Sequence, residues 1–270
     1  MWKKLVALLV PCILATTAVH AEEALLVSVR PLAFLHAALR PQAATPAVLV
    51  SGNIDPHHYS LTVADMARIR QAQLLFWRGS TNEPYLARLA GGRSGTPIWI
   101  ALGDNQSFGE SARAMAAALS QRYPAEAASI QTRADQLLQA RKKQEEYWRQ
   151  QLAPFAQTHF LLGHNALLPL VEGLGLQGAR IYQAESGHGH AQGGMQELLT
   201  LQQEVASGKI RCAIEEPGIR FHVLAKKHPG LRLAYIEPMG GNLAITPDAS
   251  LTLFNTTAAA LQKCLAGEKK

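Results

Sequence analysis

Residues 25–50 read LLVSVRPLAFLHAALRPQAATPAVLV. Leu25 to Val29 is a β-branched and leucine run, and Ala47 to Val50 is another. Leu32 to Leu39 between them has helical spacing, so strand, helix, strand is the simplest reading. Working outward, the loop Ser51-Gly52-Asn53-Ile54-Asp55-Pro56-His57-His58-Tyr59 leads to a helix whose start is marked by Thr62 and Asp65 in a capping-box relation. Strands then read at Leu74 to Trp77 and Pro97 to Ala101. This alternation predicts a parallel α/β sheet with its loops at one edge.

From Ser111 to Pro154 the chain is almost all helix formers, broken at Tyr123-Pro124, where proline suits the first turn of a new helix. Residues 124 to about 152 predict one helix of roughly 43 Å at about 1.5 Å per residue, long enough to be a rigid spine between two lobes. The alternation then resumes. Strands read at His159 to Gly163, Ala179 to Tyr182, Ile210 to Ile214 and Leu231 to Ile236; helices read at Leu167 to Gly173, Met195 to Ser207, Phe221 to His228 and Ser250 to Cys264. The expected fold is two Rossmann-like α/β lobes joined by a long helix, with a cleft between them. The lobes cover 22–123 and 154–270, and the linking helix covers 124–153. No internal repeat or low-complexity tract is visible. Ligands of open α/β sheets bind beyond the carboxyl ends of the strands, so an interlobe ligand should meet the loops that follow strands.

With 48% hydrophobic and 17% charged residues among 270, disorder, collagen and coiled coil are excluded. At the amino terminus Lys3 and Lys4 precede an apolar run from Leu5 to Ala15, and Val19-His20-Ala21 follows, so residues 1–21 read as a secretory signal peptide. Pro11 before Cys12 argues against lipidation there. Removing the leader lowers the formal net charge from +6 to +4. The basic residues are scattered, with runs only at Arg141-Lys142-Lys143 and Lys226-Lys227, so a nucleic-acid groove is not expected. The two remaining cysteines, Cys212 and Cys264, form an even pair in an exported chain and read first as a disulfide.

Loops in the post-strand positions carry metal-binding side chains: His57 and His58 after the second strand, His164 after the second lobe's first strand, and Glu237 in Tyr235-Ile236-Glu237-Pro238. Imidazole and carboxylate donors at separated points suit a borderline ion such as zinc. A further loop, Ser186-Gly187-His188-Gly189-His190-Ala191-Gln192-Gly193-Gly194, offers two imidazoles among four glycines.

Three stretches together resemble one family: Asp55-Pro56-His57-His58-Tyr59-Ser60-Leu61, Ala64-Asp65, and Ala72-Gln73-Leu74-Leu75-Phe76-Trp77-Arg78-Gly79. They are similar to the proline-histidine loop, helix and strand of the zinc- and manganese-binding solute receptors of bacterial ABC importers, especially the ZnuA-type zinc receptor. The likeness covers most of the chain after the leader. It implies that His57, His164 and Glu237 are metal ligands, Glu237 standing where the family usually has aspartate. It also implies that Cys212 and Cys264 pair. One departure concerns Asp104-Asn105-Gln106-Ser107-Phe108, where Gln106 occupies the place of a ligand histidine. An amide oxygen is a poor zinc ligand, so the site is either weaker, completed by water, or completed by another side chain, and His188 and His190 are at hand.

The resemblance therefore implies a periplasmic, monomeric receptor that takes up Zn²⁺ between two lobes and delivers it to a membrane permease, with manganese or copper as other candidate ions. Two histidines and a carboxylate with an open fourth position also suit a zinc hydrolase. The chain has no His-Glu-x-x-His and no Gly-x-Ser-x-Gly, and donors drawn from two lobes suit capture and release better than turnover. An enzyme is not expected. A receptor for a metal chelate or a metallochaperone is the remaining alternative, since a complex would bring its own donors.

Overall fold

The computed structural model describes residues 24–50, 54, 59–90, 97–103, 107–163, 165–182 and 195–267. Strands β1 (Leu25–Val29) and β3 (Leu74–Trp77) are buried along nearly their whole length, which is why they are continuous apolar runs rather than alternations. With β2 (Ala47–Val50) and β4 (Ile98–Ala101) they make a four-stranded, all-parallel sheet in the order β2-β1-β3-β4. Its connections include α1 (Arg30–Leu39), with Pro31 in the first turn, and α2 (Val63–Gln71). The capping box forms as read: the Thr62 hydroxyl accepts from the Asp65 amide, and the Asp65 carboxylate accepts from the Thr62 amide. A third helix, α3 (Pro84–Ala90), was not foreseen; seven residues with only Leu86 buried carry no legible period.

The second sheet repeats the plan. Strands β5 (Phe160–Leu162), β6 (Ala179–Ile181), β7 (Cys212–Glu215) and β8 (Arg232–Tyr235) run parallel in the order β6-β5-β7-β8, with α6 (Leu168–Gly173), α7 (Met195–Ala206) and α8 (His222–Lys227) as connections. The repeat invisible in the sequence is thus one of topology alone.

Between the sheets run α4 (Phe108–Arg122) and the spine α5 (Ala127–Leu152). The spine starts later than the sequence suggested. Residues Pro124–Glu126 form a separate 3₁₀ turn, and Glu126 is held there by two bonds from the Arg40 guanidinium at 3.0 and 2.8 Å. The 26 residues of α5 give about 39 Å. A last helix, α9 (Ala249–Ala266), serves both lobes. Leu251 packs on the first core, while Phe254, Ala258 and Leu261 enter the second. The Trp148 indole N–H of α5 donates to the Asn255 side chain at 2.7 Å.

Two arginines tie the lobes together. Arg30 donates to the carbonyls of Gly240 and Leu243, in the segment between β8 and α9. Arg141 of the spine lies between the rings of Phe108 and Phe254, at 4.8 and 3.5 Å. Far from that seam, Cys212 at the start of β7 is bridged to Cys264 in α9, with Cα atoms 5.5 Å apart. Arg232, the first residue of β8, donates to the carbonyls of Cys264 and Leu265 and so caps the end of α9.

Candidate metal centre

Every loop singled out from the sequence follows the carboxyl end of a strand. The segment with His57 follows β2, that with Gln106 follows β4, His164 follows β5 after one glycine, the loop with His188 and His190 follows β6, and Glu237 follows β8 by two residues. All strands in each sheet are parallel, so the strand ends that precede these segments share one edge per sheet. The two edges face each other. A cavity of about 230 Å³ is lined from the first lobe by Leu32, Arg78 and Phe108 and from the second by Leu167, Pro238 and Ser250, the first five of which lie just past strand ends.

His57, Gln106, His164, His188 and His190 lie outside the described residues, as does the leader 1–21. Among the described residues, no group of three or more His, Cys, Asp or Glu side chains comes together. Glu237 is described and half-buried. Its Oε1 accepts the Met239 amide N–H at 3.0 Å and its Oε2 accepts that of Gly241, so the turn it opens fixes the carboxylate from behind. Each oxygen keeps a lone pair for a further partner. Gly240 sits inside this turn at φ +66°, and an added Cβ would lie 2.5 Å from the Phe34 ring of α1. Only glycine fits where the carboxylate turn meets the other lobe.

The described residues flanking His57 and His164 are well packed. Tyr59, two residues past His57, donates its hydroxyl to Asp65 Oδ2 at 2.7 Å and sets its ring edge-on to Tyr85 at 5.4 Å. Its hydroxyl therefore anchors the loop to the start of α2. Burial, followed by the bond to Asp65, pushes the Tyr59 pKa up to about 12. Burial also opposes ionisation of Asp65, but the bonds from Thr62 and Tyr59 outweigh it and leave its pKa below the ordinary value. On the second lobe, Glu216 is 1% exposed in a tight turn closed by bonds between its backbone and that of Ile219. That turn presses on Gly163, where a Cβ would meet Ile219 at 2.9 Å, so buried Glu216 belongs to the packing directly before His164.

Sequence reasoning missed a polar cluster under the first sheet's edge. Glu83, 1% exposed, accepts the Arg78 amide N–H at 2.7 Å, and burial raises its pKa. The one available signal was an arginine ending the apolar strand Leu74–Trp77. Arg141, noted in the sequence only as part of a basic run, is largely shielded from solvent. The Arg141 side chain is 15% exposed, while Lys142 beside it is 77%.

With this geometry in view, the comparisons decide the family. The family described as zinc-uptake complex component A, periplasmic (ZnuA), matches residues 25–105 and 98–264. The chain belongs to this family. Among curated relatives, the high-affinity zinc uptake system protein ZnuA of Yersinia pestis is 33% identical over 87 residues, 32% of this chain and 27% of that protein. The metal-binding protein YtgA of Chlamydia trachomatis is 28% identical over 145 residues, 44% of each chain. The alignments thus span less than half of these relatives' own length. The solved Fe(III)-bound form of YtgA superposes with a TM-score of 0.70 at 18% identity over 90% of this chain and 98% of that one. The laminin-binding protein Lmb of Streptococcus agalactiae, described as an adhesin with metal-transporting activity, gives 0.75 at 17% identity over 89% and 98%. At such identities the likeness establishes the ZnuA-family fold: two parallel-sheet lobes on a long helix.

Proposed function

We propose that this ZnuA-family chain is the periplasmic, monomeric receptor of an ABC importer, capturing Zn²⁺ between its lobes and handing it to a membrane permease. The observation that carries the reading is Glu237, a carboxylate held by two amides of its own turn at the seam where the carboxyl edges of both sheets meet. His57 and His164 follow strands on those two edges and supply neutral nitrogen, Glu237 supplies charge, and His188 or His190 replaces the donor that Gln106 cannot provide. The Tyr59–Asp65 bond and the Glu216 turn hold the histidine loops in place, as outer partners of ligands do. The names of the Yersinia relative, a zinc uptake system protein, and of the Chlamydia relative, a metal-binding protein, support a metal ligand. The lobes are assigned to 22–123 and 154–270, with the linking segment 124–153 between them. The chain acts as a carrier, without turnover.

The test is a zinc competition titration of the mature protein. One zinc is expected per chain, and His57→Ala or His164→Ala should each weaken it by about tenfold to a hundredfold or more. Wild-type affinity in either variant overturns the ligand assignment. Zinc-dependent hydrolysis of an ester, peptide or phosphoester would overturn the carrier reading.

A further inference from the structure

The interlobe cavity does not have the chemistry of a cation site. Its described lining contains two guanidinium groups, Arg78 and Arg141, and no carboxylate. Arg141 packs against the rings of Phe108 and Phe254, and its Nε is spent on Glu145 at 2.8 Å. What remains is its Nη edge, which makes no hydrogen bond with a described residue. Arg78 has a buried Nε with no hydrogen-bond partner among the described residues, and its neighbour Glu83 takes the Arg78 backbone N–H. Ser250, 8% exposed and also lining the cavity, has a buried hydroxyl without a partner among the described residues. Unmatched buried donors are costly unless a ligand answers them.

We infer that this cavity is a binding site for a small organic anion, a carboxylate on a short apolar body, with Arg78 and Arg141 clamping the carboxylate. Guanidinium forks match carboxylates in geometry as well as charge. The rest of the lining, including Leu32, Phe34, Leu167, Leu170 and Leu253, suits hydrocarbon. At about 230 Å³ the space lies below the roughly 300–1,000 Å³ of drug-sized pockets, which sets the scale of the occupant. Pro238, next to Glu237, lines the same cavity, so the anion lies beside the proposed metal and can arrive free or as part of a metal complex. The anion site does not depend on the metal reading.

The experiment titrates the mature protein calorimetrically with straight-chain carboxylates from acetate to octanoate and with the corresponding neutral amides, each with and without one equivalent of zinc. Zinc binding is measured on the same preparation, so failure of the metal reading is seen separately. Saturable one-to-one binding is expected, strengthening with chain length until the cavity is full and then falling, with the amides at least about tenfold weaker. Binding in both conditions marks a free anion, and binding only with zinc marks an anion carried on the metal. Arg78→Leu should lose at least about tenfold in carboxylate affinity and keep one zinc per chain. Arg141→Lys, which retains charge without the fork, should show an intermediate loss and avoids the folding risk of removing a cation from between two rings. No saturable carboxylate binding by protein that binds zinc, or undiminished binding in Arg78→Leu, overturns the proposal.

Discussion

His36 of α1 is 2% exposed and its Nε2 has no hydrogen-bond partner among the described residues, so protonating it puts an unanswered charge in the core. Burial, and next the nearby Arg40, lower its pKa from 6.5 to about 4. Below pH 6.5 the unfolded chain takes up a proton that the folded chain refuses, so stability falls with pH down to about 4. The loss across that window is about 3 kcal/mol. Urea denaturation of His36→Leu between pH 7 and 4 should show a flatter acid limb than wild type; an identical slope would remove His36 as the cause. At Gly240 the expectation is steric. Gly240→Ala meets Phe34 and a left-handed backbone at once, costing about 1–3 kcal/mol for the overpacking and about 1–2 more for the φ angle. The denaturation midpoint checks this, and zinc affinity should fall with it because the same turn fixes Glu237.

At the scale of elements, the bridge between β7 and α9 closes 52 residues and so contributes up to about 4 kcal/mol by restricting the unfolded chain. Cys212 begins β7, whereas the candidate centre lies past the other end of the strands. The double Cys→Ser protein should therefore melt at a lower temperature yet bind zinc with unchanged affinity, and a lost zinc site would show that the bridge supports the cleft. These elements were largely legible beforehand. Buried parallel strands announce themselves as unbroken apolar runs, and Thr62 with Asp65 marked a helix start through its own hydrogen bonds. What escaped had no local signal. The short α3 has one buried side chain, and the division of α9 between two cores depends on neighbours far away in sequence, since Leu251 and Phe254 look alike in a string of letters. Of the candidate centre, the sequence showed that its loops follow strands, and Glu237 is described two residues past β8, while its histidines lie outside the described residues. The burial of Arg141 was not legible, because a cation packed between two aromatic rings reads like any surface lysine run.

For the molecule as a whole, the lobes are joined by more than a flexible linker. The spine, α9, the Arg30 bonds to the Gly240 segment and the stacked Arg141 all cross the seam. A wide opening would break these together. Solution scattering should therefore give the same radius of gyration, within error, with and without zinc. A clear contraction on adding metal would mean that the lobes close like a hinge, and that the seam described above belongs only to the closed form.

The capping of α9 by Arg232 has a practical side. It fixes the end of that helix against the first residue of β8, while Glu237 lies five residues further along, about 17 Å at strand rise. A tether attached after Gly267 would thus leave from the side of the second lobe opposite the cleft. Fixed to a sensor surface by such a tether, the protein would stand with its mouth toward the flowing solution.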